Sequence, residues 1–297
     1  MHFPEDPTEL ARSGRLDVVA KRLVEGLKAG KHRSSRKGIS VEFLEHRPYV
    51  LGDEIRHIDW RVWGKTNRYH VKQYEEETHI VASILVDASG SMAYQGKFLR
   101  KYDYACQMAA ALSYLLLSQR DAVALTVFSG DRTSRQPPSS QLVSFERLVQ
   151  QLGASQPEGE SALAQTLQGE LPAWTRPRLV LLLTDAFEPL GALADVLRQA
   201  SRAGHDVVLW QIVAPEEADF PFQEGMLFQD LEKAHVKVSV DPYRLATLYQ
   251  ANFRRHQAEL TALARAAQID LTTVRTNQPY SHVLADYLER RQRRLSR

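Results

Sequence analysis

The feature that most limits the fold is an apolar run over residues 80–86, in which Ser83 is the only polar side chain. A strand with no polar face is typical of a sheet that is covered by other structure on both sides. The run leads directly into Asp87-Ala88-Ser89-Gly90-Ser91, an Asp-x-Ser-x-Ser turn. We therefore predict a buried strand whose carboxyl end presents one carboxylate and two hydroxyls.

The order of the other segments predicts an α/β fold with an open, mostly parallel sheet flanked by helices. Further strands are predicted over 122–128, 178–184, 206–213, 237–240 and 269–274. Helices are predicted over 97–119, where apolar residues mark one face, and over 143–152, 161–171, 190–203, 243–267 and 281–291. An exposed hairpin or loop is predicted over 130–141, and irregular structure over 216–232.

The turn after the first strand has the composition of a metal site. Carboxylate and hydroxyl oxygens are hard ligands, which suit Mg²⁺, Mn²⁺ or Ca²⁺ and suit zinc poorly. Only Asp87 contributes a negative charge from the turn, so a bound cation would keep positive charge and open coordination positions. Such a cation can capture a carboxylate from a partner protein. The alternative is that Asp87 only ends a strand and caps the next helix.

The strand and turn together resemble the metal-ion-dependent adhesion site of von Willebrand factor A domains. That resemblance implies two further ligands, a hydroxyl from a second loop and an Asp after a later strand. Asp185 follows the predicted strand over 178–184 in the required setting, and Ser161 supplies the hydroxyl where the family usually has Thr. Thr166 is the alternative loop ligand. Because ligands of open α/β sheets bind beyond the carboxyl ends of the strands, Asp87 and Asp185 should lie on the same side of the sheet.

The residues ahead of the first long strand carry a second signature. It consists of Val41-Glu42-Phe43, Glu45, Arg47, Tyr49, Gly52-Asp53, Arg56, Ile58-Asp59-Trp60 and the segment 71–77. This box resembles the one that defines the bacterial family called domain of unknown function 58, whose members carry it ahead of a von Willebrand factor A-like domain. The resemblance implies a small β-containing N-terminal appendage over residues 1–78 and the larger domain over 79–297. It also implies a partner, a MoxR-type AAA+ ATPase, with a role in protein maturation or complex assembly.

The box alternates charges of both signs with aromatic side chains, and two interpretations of it remain open. Arg side chains pair bidentately with carboxylates, so the box can form an ion-pair network that holds the segment to the domain. It can equally form a docking surface, since Arg and aromatic residues are enriched at binding hot spots. The candidate partner-binding residues are Arg47, Tyr49, Asp53, Arg56, Asp59 and Trp60.

The composition favours a protein of the cytoplasm. The net charge of +2 makes no general case for nucleic acid or membrane binding. Cys106 is the only cysteine, which excludes an intrachain disulfide and favours a reducing compartment. We interpret Cys106 as a small core residue. The N-terminus shows no signal-peptide pattern, and no apolar run reaches the roughly 20 residues that span a bilayer.

Enzymatic signatures are incomplete. The segment 159–163 lacks the final Gly of a Gly-x-Ser-x-Gly nucleophile elbow, and the chain has neither a P-loop nor a His-Glu-x-x-His zinc pattern. Together with the family resemblance, this predicts a non-enzymatic, metal-dependent protein-interaction module that works with the AAA+ ATPase on a client protein bearing an acidic residue. The alternatives are a hydrolase that uses the metal site, or nucleic-acid binding through the basic segments 32–37 and 290–297.

Overall fold

The structure is a computed structural model. It describes residues 16–18, 20–21, 24, 46–48, 60–66, 68–72, 80–222, 226–229, 231, 237–240 and 242–295. The chain divides into two compact units, one formed by Gly30–His79 and the other by Met1–Ala29 together with Ile80–Arg297. Ala20 and Val24 are buried, and Ala20 belongs to the main apolar core of the larger unit. In this respect the division differs from the predicted appendage over 1–78, because Met1–Ala29 groups with the larger unit.

The smaller unit contains a short antiparallel sheet, as the sequence predicts for the appendage. Strand β1 (His46–Pro48) pairs with β2 (His70–Lys72), with Arg47 opposite Val71. Helix α1 (Trp60–Thr66) lies between these strands in the sequence.

The larger unit is built on a six-stranded sheet with the order β10-β7-β6-β3-β4-β5. The six strands of this sheet are β3 (Val81–Asp87), β4 (Ala122–Ser129), β5 (Arg132–Ser139), β6 (Leu179–Thr184), β7 (Asp206–Val213) and β10 (Asp270–Arg275). A separate antiparallel pair is formed by β8 (Met226–Gln229) and β9 (Lys237–Val240). All neighbours in the large sheet are parallel except β4 and β5, which form an antiparallel hairpin. Most of the segment 130–141, predicted as an exposed hairpin or loop, forms the single edge strand β5. The predicted fold class is confirmed.

The direction in which successive strands are added across the sheet reverses between β3 and β6. From β3 the chain moves outward to β4 and β5, then returns to the other side of β3 and moves outward through β6, β7 and β10. Val86 of β3 lies opposite Leu183 of β6. Doubly wound sheets bind their ligands at such a switch point, beyond the carboxyl ends of the strands. Asp87 and Asp185 lie at this point, on neighbouring strands.

Helices cover both faces of the sheet. They are α2 (Lys101–Ser118), α3 (Ser144–Ala154), α4 (Leu163–Glu170), α5 (Leu190–Arg202), α6 (Pro215–Asp219), α7 (Pro242–Ala267) and α8 (Tyr280–Leu295). Side chains alternate across a strand, so Leu181 and Leu183 join the core with α2, α3 and α8, whereas Val180 and Leu182 join the core with α4, α5 and α7. This alternation explains why β3 and β6 are apolar along almost their whole length. None of the helices in the described parts of the chain combines the length and apolar character that a bilayer crossing requires.

Helix α2 is more deeply buried than its predicted single apolar face suggests. Fifteen of its eighteen residues are buried. The helix contacts β3 and β4 and packs against α3, while the ring of Tyr104 lies 4.5 Å from that of Tyr280 in α8. Because neighbours surround it on several sides, Lys101 at its first turn is also buried.

The segment 216–232 also differs from its prediction, since it contains part of α6 and all of β8. Helix α6 begins at Pro215, and the side chain of Glu217 accepts the backbone N–H of Ala214 at 2.8 Å. Phe220 then ends the helix in a left-handed conformation, with φ of 45°. Both elements are too short for hydrophobic periodicity to reveal them.

Candidate metal centre

Asp87 lies at the centre of the candidate site and is completely buried. One of its carboxylate oxygens accepts the backbone N–H of Ser89 at 2.8 Å. The other oxygen accepts the hydroxyls of Ser161 at 2.9 Å and Thr184 at 2.6 Å. Burial, followed by repulsion from Asp185, raises the pKa of Asp87 to about 6, although these hydrogen bonds oppose the rise. Among the residues that the structure describes, the hydrogen-bond partners of Asp87 are neutral groups, so none of them compensates its buried charge.

The turn after β3 brings two hydroxyls together. Residues Gly90–Ala93 form one turn of 3-10 helix, and the backbone N–H of Met92 donates to the carbonyl of Ser89. The hydroxyl oxygens of Ser89 and Ser91 are 3.2 Å apart. The tight turn therefore converts the alternating Asp-x-Ser-x-Ser spacing into a compact group of oxygen atoms.

Backbone hydrogen bonds attach the loop that carries Ser161 to this turn. Gly90 donates to Gly159 at 2.8 Å, and Glu158 donates to Ala88 at 2.9 Å. Gly159 has a φ of +74°, which favours glycine, and so allows the loop to turn toward Asp87. Of the two hydroxyls proposed from the sequence, the structure places Ser161 against Asp87. Thr166 lies buried within α4.

Asp185 is completely buried beyond the end of β6, but its nearest polar partners come from outside the predicted ligand set. One oxygen accepts the ammonium of Lys101 at 2.8 Å, and the other accepts the backbone N–H of Phe187 at 3.3 Å. Ala186, between Asp185 and Phe187 in the chain, adopts a left-handed conformation with φ of 56°. This unusual conformation for a residue with a Cβ allows the chain to fold back around the carboxylate.

The ammonium of Lys101 also donates to Glu217 at 2.7 Å, so it joins two carboxylates. Burial by itself would lower the pKa of Lys101, but attraction by Asp185 and Glu217 outweighs it and raises the pKa above its ordinary value. Lys101 is therefore charged at neutral pH. It supplies a fixed positive charge beside the candidate metal centre.

Glu188 adds another carboxylate near the site. It accepts the backbone N–H of Ala164, in the first turn of α4, at 3.1 Å. Burial raises the pKa of Glu188 to about 7, and repulsion from Asp87 and Asp185 contributes to the rise. The carboxyl end of the sheet thus concentrates negative charge around Asp87.

Sequence reasoning did not identify Thr184, Lys101, Glu217 or Glu188. Thr184 could have been found, because it directly precedes Asp185 at the end of a predicted strand. Lys101 and Glu217 are 84 and 32 residues from Asp185 in the chain, and no motif joins them. Only the packing of α2 and α6 against the sheet reveals their contact with the site.

The donor set fits a hard divalent cation such as Mg²⁺. A hydroxyl that donates its proton to Asp87 keeps lone pairs that can face a metal, so Ser161 can serve both. In the described parts of the chain no three His, Cys, Asp or Glu side chains form a metal-binding group, and the candidate centre therefore depends on the hydroxyls. Oxygen ligands of this kind match Mg²⁺, Mn²⁺ and Ca²⁺.

The box in the smaller unit is only partly described. Arg47 lies in β1, and Trp60 begins α1 with 55% of its surface exposed. Trp60 contacts Trp63, which stacks on Tyr69, and each pair of ring centroids is 6.1 Å apart. The other candidate partner-binding residues, Tyr49, Asp53, Arg56 and Asp59, lie outside the described residues.

Solved structures that align with this chain include BatB from Bacteroides thetaiotaomicron. That protein is 16% identical, has a TM-score of 0.48, and aligns over 71% of this chain and 98% of its own. An aerotolerance-related membrane protein from Bacteroides fragilis NCTC 9343 is also 16% identical, with a TM-score of 0.49 and coverage of 71% and 97%. The SpRpn10 VWA domain is 9% identical, with a TM-score of 0.41 and coverage of 70% and 94%.

Two mycobacterial proteins align with nearly the whole chain. The uncharacterised proteins Rv1480 of Mycobacterium tuberculosis (strain ATCC 25618 / H37Rv) and Mb1516 of Mycobacterium bovis (strain ATCC BAA-935 / AF2122/97) are each 23% identical over 294 residues. The alignments cover 97% of this chain and 92% of each relative. The family model described as "Protein of unknown function DUF58" matches residues 45–259, from the residue before β1 into α7. Since this match spans well over half of the 297 residues and includes the candidate metal centre and the box from Glu45 onward, the chain belongs to the DUF58 family.

Proposed function

We propose that this protein is a non-enzymatic interaction module that recognises a partner through a bound divalent cation. The observation that carries the proposal is the burial of the Asp87 carboxylate among hydroxyl groups, together with its raised pKa. This carboxylate is completely buried at the switch point of the sheet, is surrounded by hydroxyl groups, and has a pKa raised to about 6 by burial. A cation at this position would relieve an energetically unfavourable buried charge.

Asp87, Ser89, Ser91 and Ser161 would hold Mg²⁺, and Asp185 would contribute directly or through water. When bound, the cation would supply positive charge and an open coordination position for a carboxylate from the partner. The chain's own residues prepare this position. The backbone hydrogen bonds of Gly90 and Glu158 hold the turn and the loop together, so the oxygen atoms are arranged before a cation arrives.

The proposed partners are a MoxR-type AAA+ ATPase and a client protein with an exposed acidic residue. The resemblance of the box to the family signature supports the ATPase, and the expected charge of a metal-loaded site favours an acidic residue on the ATPase or on its client. We propose that the module connects the two during protein maturation or complex assembly.

The proposal is tested by measuring binding of the purified protein to a MoxR-type AAA+ ATPase from the same organism, in Mg²⁺ and in EDTA. Asp87→Asn removes one charge while keeping the volume of the side chain. We expect EDTA and Asp87→Asn each to weaken binding roughly tenfold or more, which corresponds to about 1.4 kcal/mol.

Asp195→Asn provides the matched control, because Asp195 is an exposed carboxylate on α5 paired with Arg198. This variant should bind as the wild type does. Binding that persists unchanged in EDTA and in Asp87→Asn would show that recognition does not use the candidate metal centre. The box in the smaller unit would then become the better candidate surface.

A further inference from the structure

A buried ammonium group beside the candidate metal centre is not explained by ligand binding alone. The side chain of Lys101 has no exposed surface, and its two carboxylate partners lie 2.8 and 2.7 Å away. Its ammonium also lies 5.2 Å from the ring centroid of Phe187, the residue that follows Asp185 and Ala186. Burying a lysine is costly unless its charge is paired, so this contact is a built feature of the fold.

Lys101 joins three elements at the carboxyl end of the sheet. It lies at the first residue of α2, Asp185 follows β6, and Glu217 lies in α6. Glu217 is itself held by the backbone N–H of Ala214. The ammonium is therefore fixed by the packing of α2 and by two anchored carboxylates, and it cannot leave Asp185 without repacking.

This arrangement affects how Asp185 can respond to a cation. One of its oxygens is occupied by Lys101 and the other by the N–H of Phe187. A nearby positive charge also repels a divalent cation, and in a buried site this repulsion is weakly screened. Both effects keep Asp185 from acting as a second strong anionic ligand.

We propose that Lys101 is a built-in cation that holds Asp185 out of direct contact with the metal and so limits the metal's affinity. This inference rests on the proposed function and adds a specificity-determining residue to it. With Asp87 as the single direct anion, the metal retains the charge and the open position that a partner's carboxylate needs. Lys101 thus lowers the affinity for the cation and raises the affinity of the bound cation for the partner's carboxylate.

The first test compares Mg²⁺ affinities by isothermal titration calorimetry. Lys101→Met removes the charge and keeps most of the side-chain length, and we expect it to tighten Mg²⁺ binding roughly tenfold or more. Glu217→Gln removes a nearby negative charge and should weaken Mg²⁺ binding several-fold. Loss of packing cannot explain a tighter site, so these opposite signs separate an electrostatic role from a structural one.

Lys97→Met is the matched control for charge. It removes the same charge four residues earlier, at an exposed position, and should change the affinity less than about twofold because water screens that site. An equal tightening in both lysine variants would overturn the proposal, since the effect would then come from net charge.

The second test counts the water molecules bound to Mn²⁺ by water-proton relaxation. In Lys101→Met, Asp185 is free to bind the metal directly, so about one fewer water should remain than in the wild type. The same loss is expected in the Lys101→Met/Glu217→Gln double variant, which leaves only Asp185 unpaired. If Lys101→Met does not fold without metal, the affinity and water count of the double variant test the role of Lys101 instead.

The outcomes distinguish this inference from the proposed function. If the wild type and all the variants bind neither Mg²⁺ nor Mn²⁺, both are overturned. If the wild type binds metal, but the folded variants lacking Lys101 keep its affinity and water count, only the role of Lys101 is overturned. Tighter binding together with a lost water supports both.

Discussion

At the scale of single residues, the candidate site is a set of carboxylates whose neighbours give them different roles. Asp87 hydrogen-bonds to hydroxyls and, within the described part of the chain, to no cationic side chain, whereas Asp185 is paired with Lys101. Two acids that follow neighbouring strands thus have different electrostatic surroundings. The difference makes Asp87 the stronger candidate for direct metal binding.

The hydroxyl of Ser161 gives a residue-scale prediction. Ser161→Ala removes the oxygen that bonds to Asp87 and should weaken Mg²⁺ binding several-fold, with little effect on the fold because the residue is only partly buried. Ser161→Thr keeps the oxygen and should retain near wild-type affinity. Calorimetric titration of both variants checks this. Equal affinities for Ala and Thr would show that the loop hydroxyl is not a ligand.

Glu188 gives a prediction about pH. Its pKa in the folded protein is raised from 4.5 to about 7, so the fold favours the protonated acid. This contribution to stability is fully present below about pH 4.5 and is lost as the pH rises through 7. Glu188→Gln should therefore raise the free energy of unfolding at pH 8, relative to the wild type, by about 1–2 kcal/mol, and not at pH 4.

Urea unfolding in metal-free buffer, at a series of pH values, measures this difference. Glu259→Gln serves as the control, because Glu259 lies exposed on α7. Asp87 titrates in the same pH range and is present in all three proteins, so only its repulsion with Glu188 differs between the Glu188→Gln variant and the other two. A Glu188→Gln curve parallel to that of the wild type would contradict the prediction.

At the scale of elements, α2 is the deeply buried helix that contacts the site. It carries Lys101 at its start, and its remaining length packs between the sheet, α3 and α8. The position of the ammonium therefore depends on apolar contacts far along the helix. Packing in the core and electrostatics at the site are coupled through this one element.

Leu112 tests the contribution of that packing. It is 2% exposed in the core around α2, so Leu112→Ala should lower the free energy of unfolding by about 2–5 kcal/mol. Leu248→Ala is the same change at a position on α7 that is 61% exposed, and it should change stability by less than about 0.5 kcal/mol. Chemical denaturation of the two variants makes the comparison. Similar losses would contradict the assigned burial.

At the scale of the whole molecule, metal binding should be visible as stability. A ligand that binds only the folded state adds about 2.7 kcal/mol when its concentration is 100 times its Kd. Mg²⁺ should therefore raise the Tm of the wild type in a concentration-dependent and EDTA-reversible way. Asp87→Asn should lose this response, and Asp195→Asn should keep it. A rise of the same size in Asp87→Asn would place the bound cation elsewhere.

Much of the architecture was predictable because it depends on local patterns. The nearly continuous apolar runs identified β3 and β6, and the sequence pattern placed most helices within a few residues of their observed ends. The fold of 216–232 was not predictable, since α6 and β8 are short and depend on a cap and on strand pairing. The all-round burial of α2 also escaped prediction, because it reflects neighbours that are distant in the chain.

The sequence by itself determined the chemistry available at the carboxyl end of the sheet. Asp87, Ser89 and Ser91 are close in the chain, so their spacing alone brings their oxygens together. Only the tertiary structure decided which distant groups meet them. The order of the strands places β6 beside β3, and this brings Thr184 to Asp87, while the packing of α2 brings Lys101 to Asp185. Such contacts join residues more than 80 positions apart, where no local pattern records which side chains become neighbours.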